Sequence, residues 1–398
     1  MRSSFAALSI RPFAILWAGS LGSTTAFFMS TIVQAIVAFE LTGKNGDVGL
    51  VLLGSGVASA VLGPVGGAIA DRLSKKTINI VASIVSMLVF LVTAILIATD
   101  SLQLHHLVLG AFVNGASFAF VGPARQAWVV ELVGVELRAN AIALNQVALN
   151  AARVWAPAIA GGMVAVAFIG PAGAYFTMTA LYLVALVSLA WLPPSRPSPT
   201  AQRHSVLGDM VAGVLYAWSQ PRLRWMLVLF FLMILFGLSS TAVLPGLLEN
   251  ELNRDADSFG YLQAANAVGG LLASLAVASV AGSSRALTVY SVSGVLGGLA
   301  LILVGVAPTF TIVLLPMFLF GVGFGAFQTL NNAVIVTESD PNYFGRITSL
   351  TFLAFAGFLV ASYPVGLAAD AIGERLTLVI LGALTTATVL LIAPLIAR

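Results

Sequence analysis

Residues 66–76 read GGAIADRLSKK. The 398-residue chain has only 18 basic and 15 acidic side chains, yet Asp71, Arg72, Lys75 and Lys76 fall within six positions. Long apolar runs lie on both sides. Charge this scarce, set between such runs, marks a place where the chain leaves an apolar medium, turns and re-enters it.

Composition identifies the medium. Hydrophobic residues make up 59% of the chain and charged residues 8%, and the mean hydropathy is +1.03. A soluble domain carries about 25% charged residues, so this chain cannot cover itself with a hydrated surface. It reads as an integral membrane protein. The chain has no cysteine, which excludes disulfides, thiol catalysis and Cys-ligated metal. The first apolar stretch is too long for a cleaved signal peptide and lacks a small-residue cleavage site, so residues 13–39 are expected to remain as a first span.

A span needs about 20 mostly apolar residues to cross about 30 Å of hydrocarbon. That ruler gives twelve: 13–39, 48–70, 77–98, 105–130, 139–168, 173–192, 223–248, 257–281, 286–306, 310–336, 346–371 and 376–396. The runs lack period-two alternation, which argues for helices. With the N-terminus inside, Arg2, Arg11, Arg72, Lys75, Lys76, Arg125, Arg138, Arg196, Arg203, Arg222, Arg224, Arg285, Arg346 and Arg398 are cytoplasmic. Lys44, Arg254 and Arg375 lie opposite, and Arg153 falls within a span. This bias predicts that both termini are cytoplasmic, in a bacterial cytoplasmic (inner) membrane.

The longest connection, 193–222, divides an N-terminal six-helix bundle (1–192) from a C-terminal one (223–398). Its stretch SVLGDMVAGVLYAWSQ (205–220) places Leu207, Met210, Val211, Val214, Leu215 and Trp218 on one face, as in a helix lying at the membrane interface. A loose repeat supports the division: Pro12 matches Pro221, Leu41 matches Leu252, Gly49 matches Gly260, Glu131 matches Glu338 and Arg138 matches Arg346, at offsets of 207–211. Six spans per half make the repeats parallel, an arrangement typical of two-lobed secondary transporters.

The stretch GAIADRLSKK (67–76) resembles the loop 2–3 signature of the major facilitator superfamily, G-x-L-A-D-R-x-G-R-K, with Ser74 where the family prefers Gly. Narrower likenesses point to its drug and siderophore exporters, among them enterobactin and macrolide efflux proteins. They are ELTGKNGDVGLVL (40–52), GPARQAWVVELV (122–133), RANAIALNQ (138–146), AARVWAPAIAGG (151–162) and GVLYAWSQPRLRWML (213–227). The resemblance implies an all-α membrane protein of twelve helices in two pseudo-symmetric six-helix bundles.

It also implies a conformational latch. In the family the carboxylate equivalent to Asp71 meets the N-terminus of helix 11, here at Gly345 and Arg346, where free N–H groups and the helix dipole favour an anion. Such a contact contributes about 0.3–2 kcal/mol, against a cost of about 2.5–3.5 kcal/mol for placing a carboxylate in the membrane centre and less at its edge. Near-cancellation suits a contact that opens and closes. Gly63, Gly66 and Gly67 remove bulk so that helix 2 can approach helix 11, and Glu131 is a candidate partner for Arg72 or Lys75.

Helix 5 carries Gln146, Asn150, Arg153 and Pro157 on one face. At ~1.5 Å per residue, Arg153 lies about 18 Å into the membrane. An arginine at that depth is a functional candidate, suited to an anionic or carbonyl-rich cargo; the alternative is a structural arginine bonded to groups such as Asn150. In APAIAG (156–161), alanines replace two glycines of the family's antiporter signature. Further cargo candidates are Phe27 and Gln34 on helix 1, Asn114, Phe118 and Arg125 on helix 4, Gln263 and Asn266 on helix 8, and Gln328, Asn331 and Asn332 on helix 10. Such an apolar, aromatic set with scattered amides suits an amphipathic small molecule.

Proton-driven relatives carry an acid on helix 1 and an arginine deep in helix 4. Ser23 and Ala111 stand at those positions here. Glu40 is then the candidate proton carrier, and an uncoupled facilitator or a lipid or lysolipid flippase is the alternative. A membrane enzyme is disfavoured, since His105, His106 and His204 form no HExxH or Ser-His arrangement. No phosphate-binding loop occurs, so no cofactor is expected beyond a proton as coupling ion. The basic residues are dispersed, which argues against nucleic acid. The expected partners are the cargo and the bilayer, with the protein a monomer.

Overall fold

The computed structural model describes residues 5–164, 166, 168–195, 206–255, 258–277, 279–280, 283, 285–340 and 343–396. The chain is all-α, and twelve helices among the described residues are long and apolar enough to cross a membrane. In order they are α1 (Arg11–Thr42), α2 (Asn45–Arg72), α3 (Lys75–Ala98), α4 (Leu104–Leu132), α5 (Arg138–Val164), α6 (Gly170–Ala190), the shorter α7 (Val206–Ser219), α8 (Pro221–Ser239), the single turn α9 (Leu244–Gly246), α10 (Phe259–Val277), α11 (Ala286–Val306), α12 (Phe310–Glu338), α13 (Phe344–Ile372) and α14 (Glu374–Ile396). All but α7 and α9 are the spans.

The turns follow from local chemistry. Ser74 has φ −60° and its side chain accepts the N–H of Thr77, so it caps α3. That accounts for serine in place of the family's glycine, since no left-handed residue is required there. Lys76 reaches back to the carbonyls of Ala190 and Leu192 at the end of α6, where a cation suits the helix dipole. His106 accepts the backbone N–H of Gln103 at 3.1 Å and completes a capping box on α4, a structural task for one of the two adjacent histidines. Gly373, at φ 90°, makes the turn between α13 and α14.

The chain forms two compact units. The first comprises Met1–Gln34 and Val57–Val206, the second Ala35–Gly56 and Leu207–Arg398. Residues 35–56, the end of α1 and the start of α2, thus group with the second unit, whereas the sequence pattern alone divides the chain at 193–222. Within the first unit α3 packs on α4 and α6, and α2 meets α4 where Gly66 faces the carbonyl of Ala119. Pro123, four residues on, cannot donate to that carbonyl. Within the second unit α12 packs on α10 and α11, α11 on α14, and α8 on α13 and α14, around a core that includes Phe230, Tyr290, Phe327 and Leu330.

Arg125, counted with the cytoplasmic basic residues and named as a helix 4 cargo candidate, lies within α4, and both terminal nitrogens of its guanidinium bond to α1. One expectation needs correction. The glycines that bring α2 onto α13 are not Gly63 and Gly66. Gly63 faces open space and Gly66 faces α4, whereas Gly46, Gly49 and Gly56 abut Leu367, Ser362 and Leu359. Gly67 lies outside the residues whose side chains are described.

Candidate functional site

In the first unit, one short segment of α1 receives polar and aromatic side chains from two other helices. Arg125 of α4 donates from Nη1 to Thr24 Oγ1 at 3.2 Å and from Nη2 to Ser23 Oγ at 3.1 Å. A guanidinium and two hydroxyls thus join α1 and α4, with Arg125 some way along α4 from Ala111. A cavity of about 10 Å³ lies beside it, lined by Ser23, Ser83, Ser86, Ser117, Arg125 and Tyr182 among others, about the space one water needs.

A ladder of rings continues from there. Phe27 stacks on Phe118, with centroids 4.2 Å apart, and meets Phe28 edge-on at 5.5 Å. The guanidinium of Arg153 lies 5.5 Å from the Phe28 ring, within cation–π range. Trp155 donates from Nε1 to Thr25 Oγ1 at 2.9 Å. One turn before Phe118, Asn114 is 2% exposed and neither atom of its amide has a hydrogen-bond partner among the described residues. A buried, unsatisfied amide costs about 1–3 kcal/mol, so a native protein retains one for a reason. Gln34 is buried beside Tyr175, Gln146 is half-buried, and the side chain of Asn150 lies outside the described set.

The second unit treats its candidates differently. Asn331 is fully buried and its Oδ1 accepts the Tyr290 hydroxyl at 3.2 Å, beside a Tyr290–Phe327 stack; it faces the core. Asn266 donates to Gln263 at 3.2 Å within α10. Gln328 and Asn332 are half-buried on α12.

The second unit also holds a polar cluster that sequence reading did not assemble. Asp370, near the C-terminal end of α13, accepts the backbone N–H groups of Asn45 and Gly46 at the start of α2, both at 2.8 Å. The Asn45 side-chain amide donates to Asp370 Oδ1 at 3.1 Å and to Glu374 Oε1 at 2.9 Å, and Asn250 donates to the same Glu374 oxygen at 2.7 Å. Glu40 stands nearby in sequence, exposed at the end of α1. Elsewhere Lys75, nearly buried, pairs with Glu131 at 3.0 Å, and Arg222 pairs with Glu338 at 3.0 Å. The side chains of Asp71, Arg72, Gly345 and Arg346 lie outside the described set.

Twelve apolar spans that carry partly buried arginines and buried amides fit a membrane transporter of the major facilitator fold. The chain belongs to the family described as "Transmembrane secretion effector", whose model matches residues 2–397. It is 26% identical over 326 residues to the staphyloferrin A transporter of Staphylococcus aureus, covering 79% of each chain. It is 27% identical over 314 residues to the enterobactin exporter EntS of Shigella boydii, covering 78% of this chain and 73% of that one. Its fold matches a bacterial homologue of the human lysosomal transporter Spinster with a TM-score of 0.76, at 12% identity and over 97% and 98% of the two chains. It is a transporter, not an enzyme.

Proposed function

We propose that this protein exports an amphipathic small molecule, siderophore-like or drug-like, by alternating access, in exchange for a proton. The observation that carries the cargo reading is the ladder Asn114–Phe118–Phe27–Phe28–Arg153: an unsatisfied amide, stacked rings and a cation in one apolar bundle. An amphipathic cargo with carbonyl or anionic groups would satisfy the amide and face the cation while covering the rings. Gln34, Gln146, Asn150, Gln263, Asn266, Gln328 and Asn332 are the further contacts proposed, and Asn331 acts through the Tyr290 bond. The names of the relatives support export and this cargo class.

Alternating access is assigned to the antiparallel ends of α2 and α13. Asp370 holds the start of α2, and in the opposite pose Asp71 holds the start of α13 at Gly345 and Arg346, with Gly67, Arg72 and the Lys75–Glu131 pair around it. Glu40 is the proposed proton carrier. The protein is assigned to the bacterial inner membrane, as a monomer with both termini cytoplasmic.

The test is transport by the purified protein in liposomes, with a catecholate or carboxylate siderophore or a macrolide as cargo and an imposed pH gradient. The reading expects cargo movement that accelerates with the gradient and falls on Glu40→Gln. Transport indifferent to the gradient would exclude antiport and favour an uncoupled carrier.

A further inference from the structure

The second unit has an apolar groove of its own. Its volume is about 230 Å³, and Val214 and Trp218 of α7, Leu227 and Phe231 of α8, and Leu353 of α13 form its walls. Small-molecule sites run to about 300–1,000 Å³, so the groove is too small for a whole cargo and suits a length of hydrocarbon chain. Its rim is accessible: Trp218 is 58% exposed, and Val214, Phe231 and Leu353 are each about two-fifths exposed. Apolar side chains left exposed on membrane-spanning helices suit contact with hydrocarbon.

One charge lines the groove. The guanidinium of Arg224 lies 6.0 Å from the Trp218 ring and 5.1 Å from that of Trp225. Its Nε is buried without a hydrogen-bond partner, and no carboxylate pairs with Arg224 among the described residues, since Glu338 is held by Arg222. Arg224 also stands in the first turn of α8, which Gln220 leaves without a side-chain cap and which begins with Pro221. A helix N-terminus is already positive, so a cation there is disfavoured unless an anion accompanies it.

The wall is fixed rather than loose. Tyr216 of α7 stacks on Tyr343 at 4.1 Å and its hydroxyl accepts the Asp340 N–H at 2.9 Å, while Ala217 packs with Leu223, Ile335 and Ile347. We propose that this groove is a binding site for an anionic phospholipid: one acyl chain lies between α7, α8 and α13, and the phosphate sits on Arg224 at the N-terminus of α8. The charge and the apolar walls together select the occupant, since a guanidinium at an apolar groove pairs with a phosphodiester whose acyl chain the groove can hold. The bound lipid fastens α7, and with it the connection between the two bundles, to α8 and α13.

Native mass spectrometry of the full-length protein in detergent tests this, with phosphatidylglycerol and phosphatidylethanolamine of identical chains added separately. Wild type is expected to retain phosphatidylglycerol about five-fold more than phosphatidylethanolamine, and its melting temperature to rise with the former. Arg224→Gln should abolish that preference and the thermal shift. Leu353→Trp, which fills the groove from its exposed rim, should reduce retention of both lipids. Arg285→Gln, at an exposed arginine just before α11, should behave as wild type. Undiminished phosphatidylglycerol binding by Arg224→Gln, or an equal loss in Arg285→Gln, would overturn the proposal.

Discussion

Asp370 accepts the backbone N–H of Asn45 at 2.8 Å across 325 residues of sequence, and its second oxygen accepts Gly46 at the same distance. A carboxylate at the end of one helix thus satisfies the orphan donors at the start of another. Asp71 holds the matching place on α2: each acid stands 26 residues after the first residue of its helix, Asn45 for Asp71 and Phe344 for Asp370. The proposed alternation uses this match, with Asp71 making at its end the contact that Asp370 makes at the other.

Asp370→Ala removes the acceptor from two donors at once. Hydrogen bonds to charged groups contribute about 1.5–3 kcal/mol, and the Asn45 side chain retains Glu374, so a loss of about 2 kcal/mol from the pose that contains the contact is expected. Transport should slow about ten-fold with membrane expression unchanged; wild-type rates in proteoliposomes would remove Asp370 from the mechanism.

Asn114→Leu separates cargo recognition from stability. Replacing an unsatisfied buried amide with a hydrocarbon of similar size should raise the melting temperature, by the equivalent of about 1 kcal/mol. Cargo affinity should fall about ten-fold. A variant that is both less stable and fully active would show that Asn114 serves the fold.

Arg125 makes two bonds to adjacent hydroxyls with the fixed fork of a guanidinium. Arg125→Lys can make only one of them well and should not restore transport, although it keeps the charge. Equal cargo flux in Arg125→Lys and wild type would show that charge alone suffices there.

The Lys75–Glu131 pair has one nearly buried partner and one about a third exposed. Glu131→Gln leaves the Lys75 ammonium buried beside a neutral amide and should cost about 1 kcal/mol after solvent screening. Combining it with Lys75→Met should recover most of that loss in a thermal-melt double-mutant cycle. Additive losses would mean that the pair is not coupled.

Much of the fold was legible in the sequence because a span's length and the scarcity of charge are fixed by the bilayer. The twelve spans needed no tertiary information. Edges were less visible: α1 runs from Arg11 to Thr42, beyond 13–39, because Glu40 and Thr42 continue the helix past the apolar run. The glycines of α2 show the limit more sharply. Gly46, Gly49, Gly63 and Gly66 look alike in sequence, yet Gly49 faces α13 and Gly66 faces α4, and only the direction each presents to its neighbours separates them.

The candidate site was legible by residue type and not by pairing. Buried amides and arginines are costly, which marked Asn114 and Arg153 in advance. Asn331 carried the same mark and turned toward Tyr290. Arg125 was marked by its type as a cargo candidate, but the hydroxyls that receive it, Ser23 and Thr24, carry no signal of their own. Glu374 passed unnoticed for a similar reason: at the first position of α14 an acid is ordinary helix chemistry, and its amide partners lie more than a hundred residues away.

The central claim is that the two ends of α2 and α13 close in alternation. The chain has no cysteine, so spin labels can be placed at Lys44 and Ile372 to report one end, and at Leu73 and Asp340 to report the other. Electron–electron distance measurements on the protein in nanodiscs should show that Asp370→Ala lengthens the first distance and shortens the second, with Asp71→Ala doing the reverse. Distances that change together, or do not change at all, would contradict the account.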